Sequence, residues 1–234
     1  MIVCTGFRFD PSILPDPELV IDDRFPAQTP EWESTNVPGL YFAGTLMQVR
    51  DFKRSTGGFI HGFRYGVRAL HRMLEHKYHG VEWPHAALPA EPEALTEAVI
   101  VRVNRSSALW QQFAFLCDLI VVEADGARYY EELPLDYVHA SPPERYFTIT
   151  LEYGPEHDRV DPFDISVGRI AQTDSERAAE GRYLHPVVRC HRRGELVAEH
   201  HVTENLENEW TSPGHRLPLQ EFFAEASDAG TVAA

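Results

Sequence analysis

The residues that could do chemistry gather in Ser55-Thr56-Gly57-Gly58-Phe59-Ile60-His61-Gly62. Hydroxyl and glycine residues here precede an apolar, helix-periodic run, so the first amides of a helix are left unpaired and carry a partial positive charge. A helix mouth of this kind favours an electron-rich ring edge. Reduced flavin, anionic around N1 and O2, is such a group, and Gly58, Phe59 and His61 are the candidate contacts. His61 is the candidate for donating a hydrogen bond or shuttling a proton, with helix capping or packing as the alternative. Gly62 and Gly66 stand one turn apart and allow close packing against a sheet or a cofactor. Two further steps, Thr5-Gly6 and Gly44-Thr45, combine a backbone free to approach a ligand with a hydroxyl able to bond a ribityl or phosphate oxygen. Both also read as simple turns.

Other constellations point away from chemistry. His185, Cys190, His191, His200 and His201 crowd near a predicted hairpin. Their spacing matches no standard zinc site, and they fall on opposite or unmatched strand faces, so no metal is expected. Glu152, Asp161 and Asp164 read as solvated loop carboxylates rather than an acid–base pair. Trp110, Phe113 and Phe115 read as core. Cys4, Cys117 and Cys190 include no Cys-x-x-Cys pair, so redox chemistry here must be carried by a cofactor.

The elements that must position these groups begin with Met1–Thr5, an apolar β-branched run ending at Gly6, as a buried parallel strand does at a ligand. Pro11 to Pro38, rich in proline, reads as an irregular surface excursion. Leu40-Tyr41-Phe42-Ala43 predicts a second buried strand. A helix is predicted from Gly58 to Lys77, with Ser55-Thr56 as cap, Phe59, Phe63, Val67, Leu70 and Leu74 on its apolar stripe, and an end near Gly80. This strand–loop–helix order makes a Rossmann-type βα unit, and in such folds ligands bind beyond the carboxyl ends of the strands. Farther on, Val99–Val103 and Leu119–Val122 read as strands flanking a helix from Ser107 to Leu116. Turns at Asp125-Gly126 and Arg193-Gly194, with the run Tyr146–Leu151, predict a mainly antiparallel sheet.

The fold expected is therefore α+β: a partial α/β segment followed by a mainly antiparallel β-rich domain. The expected boundaries are 1–83 for the first domain, 84–95 for a linker, 96–223 for the second domain and 224–234 for a flexible tail. A formal charge of -15 disfavours nucleic acid and anionic membrane surfaces as partners. No apolar run approaches the roughly 20 residues needed to span a bilayer, and the cytoplasm is the expected location.

Cys4-Thr5-Gly6-Phe7, Val37-Pro38-Gly39-Leu40-Tyr41-Phe42-Ala43-Gly44-Thr45 and Gly58-Phe59-Ile60-His61-Gly62-Phe63-Arg64-Tyr65 resemble the closing segment of flavoproteins with two dinucleotide-binding domains. The resemblance is to the FAD-dependent oxidoreductase domain-containing family, related to class B flavin monooxygenases. It extends over Asn104–Phe113, Leu151–Gly154, Leu184–Arg189 and Glu204–Asn208, which look like that family's C-terminal extension.

This resemblance implies an FAD-dependent NAD(P)H oxidoreductase, monooxygenase-like, with Thr5, Gly6, Gly44, Thr45, Gly58, Phe59 and His61 around the FAD. Many relatives have an aspartate where Thr45 stands, to hold a ribityl hydroxyl; Asp51 is the carboxylate that could compensate. The Gly-x-Gly-x-x-Gly turns that cradle the pyrophosphates of FAD and NAD(P)H are missing from the sequence. A fragment or a truncated product is therefore one expectation, and a separate polypeptide supplying the other half is another. The alternatives in function are a non-catalytic protein- or substrate-binding module and an inactive truncated flavoprotein. The small-molecule substrate is not legible.

Overall fold

The computed structural model of the chain describes residues 9–14, 19–161 and 163–228. Thr5, Gly6 and the expected strand over residues 1–5 lie outside them. The chain divides into two compact units, residues 1–82 and 83–234.

In the first unit, the Asp10 side chain accepts from the Ser12 amide and caps a 3-10 turn at Pro11–Ile13. Strands β1 (Ile21–Asp22) and β2 (Phe25–Pro26) pair antiparallel around Asp23, whose φ is 55°. The proline-rich stretch expected as a surface excursion instead contributes core: Leu19, Phe25 and Trp32 are buried, Trp32 to 1% exposure. Proline breaks regular hydrogen bonding but does not prevent apolar side chains from being buried.

Leu40–Ala43, expected as a buried strand, is corrected to an extended run with a single bridge, Tyr41 to Glu33. Its other backbone bonds go to the loop beside it, from Ser34 N to Leu40 O and from Phe42 N to Trp32 O. Only Phe42 of the four is buried. The chain then turns at Gly44, where φ is 70°, into a 3-10 helix, Gly44–Arg50.

Helix α1 (Ile60–His79) lies where the periodicity placed it and ends on Gly80 at φ 66°, a left-handed cap that glycine adopts without a Cβ clash. His76, Lys77 and His79 occupy its last turn, where the helix dipole favours positive charge. Its cap is Phe59 rather than Ser55 or Thr56, because the Phe59 amide turns back to Thr56 O at 3.0 Å. The buried stripe runs through Gly62, Tyr65, Gly66, Ala69, Leu70 and Met73. Phe59 and Val67, placed on the apolar face by spacing alone, are 64% and 39% exposed. Gly66 on the stripe lets Met47 of the neighbouring 3-10 helix approach, and the buried face runs through Tyr65, Leu70 and Met73 rather than through Phe59 and Val67.

The second unit is built on a six-stranded antiparallel sheet in the order β3-β5-β4-β6-β7-β8. The strands are β3 (His85–Leu88), β4 (Leu116–Glu123), β5 (Gly126–Pro134), β6 (Arg145–Glu152), β7 (His185–Arg192) and β8 (Glu195–His201). The helices are α2 (Pro92–Val103), α3 (Ser107–Gln111), α4 (Leu135–Ala140) and α5 (Pro213–Asp228). The mainly antiparallel, β-rich domain is as expected, and both predicted hairpin turns are present, at Asp125-Gly126 and Arg193-Gly194.

Three expectations are corrected. Residues 84–95 do not form a linker but carry β3 and the first turn of α2. Val99–Val103 is helix, because Leu95, Val99, Ile100 and Val103 repeat at helical spacing, all 2% exposed or less, and Pro92 starts the helix. Residues 224–228 continue α5 rather than forming a tail.

The core lies between α2, α5 and one sheet face, where Ile120, Phe147, Ile149, Val188, Leu219 and Phe223 pack together. Burying each such side chain contributes roughly 1.5–3 kcal/mol. Phe147 meets Phe223 edge to face at 5.0 Å.

Candidate functional site at the mouth of the first long helix

At the start of α1 the sequence leaves donors unused. The amides of Phe59, Gly62 and Phe63 donate to Thr56 O and Phe59 O. Those of Gly58, Ile60 and His61 find no backbone acceptor among the described residues. Phe59 and His61 stack with ring centroids 5.6 Å apart at 12°, and both are exposed, so the helix mouth carries a flat aromatic platform. Ile60 beside them is 73% exposed.

Glycine is required where the loop and helix close. A Cβ on Gly62 would stand 2.0 Å from Thr56 O, which fixes the loop against the helix. A Cβ on Gly58 would stand 2.7 Å from Gln48 Oε1, so the 3-10 helix Gly44–Arg50 is the second wall. Gly66 in turn accepts Met47 and Trp32 against its face. The expectation that Gly62 and Gly66 allow close packing thus holds, with the partner being this chain's own loop and 3-10 helix.

Of the sequence-predicted residues, Gly58, Phe59 and His61 come together at this mouth. Gly44 and Thr45 open the adjoining 3-10 helix rather than capping a strand. Thr45 is exposed, and a Cβ on Gly44 would meet nothing within 4 Å. Asp51, weighed as a compensating carboxylate, is 6% exposed and turned inward. Its Oδ2 accepts from the Ser55 hydroxyl, while Oδ1 has no partner and lies against Gly57. Burial pushes its carboxyl up, against the lowering effect of the Ser55 bonds.

One signal went unread in the sequence. Arg50, Lys53, Arg54, Arg64, Arg68 and Arg72 fall within a span holding Asp51 as its one carboxylate, in a chain of net charge -15. This local excess of positive charge flanks the helix mouth and favours anions there. Gln48, by contrast, gave no signal, because its approach to Gly58 is a product of packing.

In the second unit the histidines expected on unmatched faces partly converge. His185 Nε2 lies 2.8 Å from His201 Nδ1, whereas His200 stacks on Phe222 at 5.4 Å and His191 on Tyr146 at 4.7 Å. The expectation failed because a bulge between Cys190 and His191 shifts the register of β7 against β8. Glu152, read as a loop carboxylate, ends β6 and pairs with Arg189, which holds its carboxyl down although burial opposes this. Among the described residues no group of three or more His, Cys, Asp or Glu side chains is arranged to hold a metal ion. None of the described helices is long and apolar enough to cross a membrane.

The chain is 35% identical to the mouse (Mus musculus) protein named FAD-dependent oxidoreductase domain-containing protein 2, an alignment covering 97% of this chain and 38% of that protein. It is 31% identical to the zebrafish (Danio rerio) protein of the same name, covering 95% of this chain and 36% of the relative. The chain therefore spans well under half the length of these relatives. No family model matches it, and no solved structure matches it.

Proposed function

Because this chain belongs to the FAD-dependent oxidoreductase domain-containing family, we propose that it forms the ribityl and isoalloxazine side of a flavin site in an FAD-dependent NAD(P)H oxidoreductase of monooxygenase-like type. When bound, FAD supplies the two-electron chemistry, with NAD(P)H as reductant. The observation that carries this reading is the open start of α1, where three unpaired amides, a stacked Phe59–His61 pair and a basic flank converge.

The residues present fit such a group. The amides of Gly58, Ile60 and His61 hold electron-rich oxygen or nitrogen at a ring edge, and the helix dipole stabilises added negative charge there. Phe59 offers a face for a planar ring and keeps water from one side of it. His61 positions a hydrogen bond at the rim. Gly44 and Thr45, on the adjoining wall, leave room for a polyhydroxyl chain. No Gly-x-Gly-x-x-Gly turn to cradle a pyrophosphate stands in this sequence, so the proposal takes that half from elsewhere, either from more of the same protein or from a separate polypeptide.

The test is FAD titration of the chain together with the half that carries the pyrophosphate turn, read by flavin fluorescence. Gly58→Glu, which puts bulk and negative charge at the mouth, is expected to weaken binding at least about tenfold. Unchanged affinity in that variant overturns the assignment. The rival reading, a substrate- or protein-binding module, draws on a separate cavity in the second unit.

A further inference from the structure

Four stretches singled out in the sequence have no part in the helix mouth: Asn104–Phe113, Leu151–Gly154, Leu184–Arg189 and Glu204–Asn208. In the second unit a cavity of about 330 Å³ is lined from the Leu151–Gly154 stretch and from beside Leu184–Arg189, and Phe113 and Glu204 of the other two stretches contact its lining residues. It is lined by Tyr153, His157, Asp158, Val160, Arg182 and Tyr183.

The walls are held in place by groups that serve no other evident purpose. Phe113 braces the Tyr153 ring edge to face at 5.1 Å, and His157 stacks on that ring at 4.5 Å and 14°. The Arg169 guanidinium lies 4.0 Å over the Tyr183 ring. Glu204, 2% exposed, accepts from Tyr183 N at 2.8 Å and from Ile170 N at 3.1 Å. A carboxylate that deeply buried is retained at a desolvation cost, and here it fixes the backbone that presents Tyr183. Gly154 lets the two segments cross, since a Cβ there would fall 1.6 Å from Gly181 O.

The loosely paired cation of this cavity is Arg182. Its Nη2 lies 3.8 Å from Glu156 Oε2, while the other oxygen of Glu156 takes Arg159 at 2.8 Å, so the closer partner of that carboxylate is Arg159. Asp158 has the His157 ring 2.9 Å away and an 88% exposed side chain, so its carboxylate stays in solvent. Tyr153 remains 40% exposed although its ring is rigidly braced. An aromatic wall with one cation at its rim, in a volume suited to a small molecule, recognises a flat ring carrying one negative charge.

We propose that this cavity binds a small planar aromatic carboxylate, with its ring against the Tyr153, His157 and Tyr183 wall and its carboxylate on Arg182. The guanidinium fork matches a carboxylate in two parallel hydrogen bonds, which a neutral analogue cannot make.

The test is calorimetric titration of the full chain with 2-naphthoate and, in parallel, with neutral 2-naphthol. Naphthoate is expected to saturate with a dissociation constant of about 1 mM or tighter. Naphthol should bind about tenfold more weakly, and Arg182→Gln should reduce naphthoate binding to the naphthol level. Tyr153→Leu should weaken both probes alike, because it removes wall rather than charge. Arg193→Gln, at the turn between β7 and β8 and bonded to Glu144, should leave both unchanged. Circular dichroism of each variant separates lost binding from lost fold. Absence of saturable naphthoate binding, equal binding by Arg182→Gln, or equal loss in Arg193→Gln overturns the proposal.

Discussion

His185 Nε2 lies 2.8 Å from His201 Nδ1, and the partners of the other two ring nitrogens decide where the protons are. His185 Nδ1 faces Tyr183 O at 2.8 Å, and a carbonyl only accepts, so Nδ1 carries the hydrogen. His185 is fully buried, and burial pushes its ring down, which keeps it neutral and leaves Nε2 as an acceptor. His201 Nδ1 must then donate. Its Nε2, 2.9 Å from Glu199 Oε1, faces a second acceptor and must donate too. Both His201 ring nitrogens therefore face acceptors, one on a neutral histidine and one on a carboxylate that Arg189 also binds.

Replacing His201 by alanine leaves His185 Nε2 buried without a donor, at an expected loss of about 1–3 kcal/mol in urea denaturation. Nitrogen-15 spectra of the native chain should show both His201 ring nitrogens protonated and one His185 nitrogen bare. A neutral His201 would refute the proton assignment.

Acid should destabilise the second unit before its carboxylates titrate. Burial, the first cause for both rings, pushes His191 and His200 down to about 4. An unfolded histidine titrates near 6.5, so between about pH 4 and 6.5 the unfolded chain binds more protons and stability rises with pH. On acidification the loss starts near 6.5 and continues to about 4. Asp51 has the opposite sign: its raised carboxyl contributes below the unfolded value and loses that contribution as pH rises. Urea midpoints at pH 7 and pH 5 should differ by the equivalent of about 1–3 kcal/mol, and His200→Phe, which keeps the stack on Phe222, should shrink the difference. Midpoints independent of pH would contradict it.

The buried Asp118 is the anchor of α2 on the sheet. It accepts from Arg102 Nε at 2.7 Å, from the Tyr129 hydroxyl at 3.0 Å and from the Glu132 amide at 2.9 Å. Asp118→Ala strands the Arg102 charge, 19% exposed, and is expected to cost about 3–5 kcal/mol in equilibrium unfolding. A loss under about 1 kcal/mol would show that Glu131 and Glu132 already suffice for Arg102.

Gly62→Ala should loosen the helix mouth, because its methyl would meet backbone at Thr56. An overpacking loss of about 1–3 kcal/mol in the first unit, with faster amide exchange over residues 55–61, is expected. Gly66→Ala should be milder, since the group it meets at 3.0 Å is the flexible end of Met47. Reversed severity would show that the loop gives way more easily than the methionine.

Local chemistry was legible in the sequence. The hairpins at Asp125-Gly126 and Arg193-Gly194 and the end of α1 at Gly80 need only turn residues and periodicity, and they stand where those signals put them. Gly58, Phe59 and His61 were legible as a group because a helix start is written in consecutive residues. What the sequence could not contain was the partner of each segment. Val99–Val103 has the composition of a strand, yet its burial against the sheet selects helix. Leu40–Ala43 has the pattern of a strand, but among the described residues its hydrogen bonds go to the Trp32–Ser34 loop and to Val37 O rather than to a neighbouring strand. The inward placing of Asp51 and Gln48 and the cavity between Tyr153 and Tyr183 arise from packing rather than from local sequence. Propensity acts over a few neighbouring residues, whereas burial and pairing act across the folded chain, so tertiary packing alone decided them.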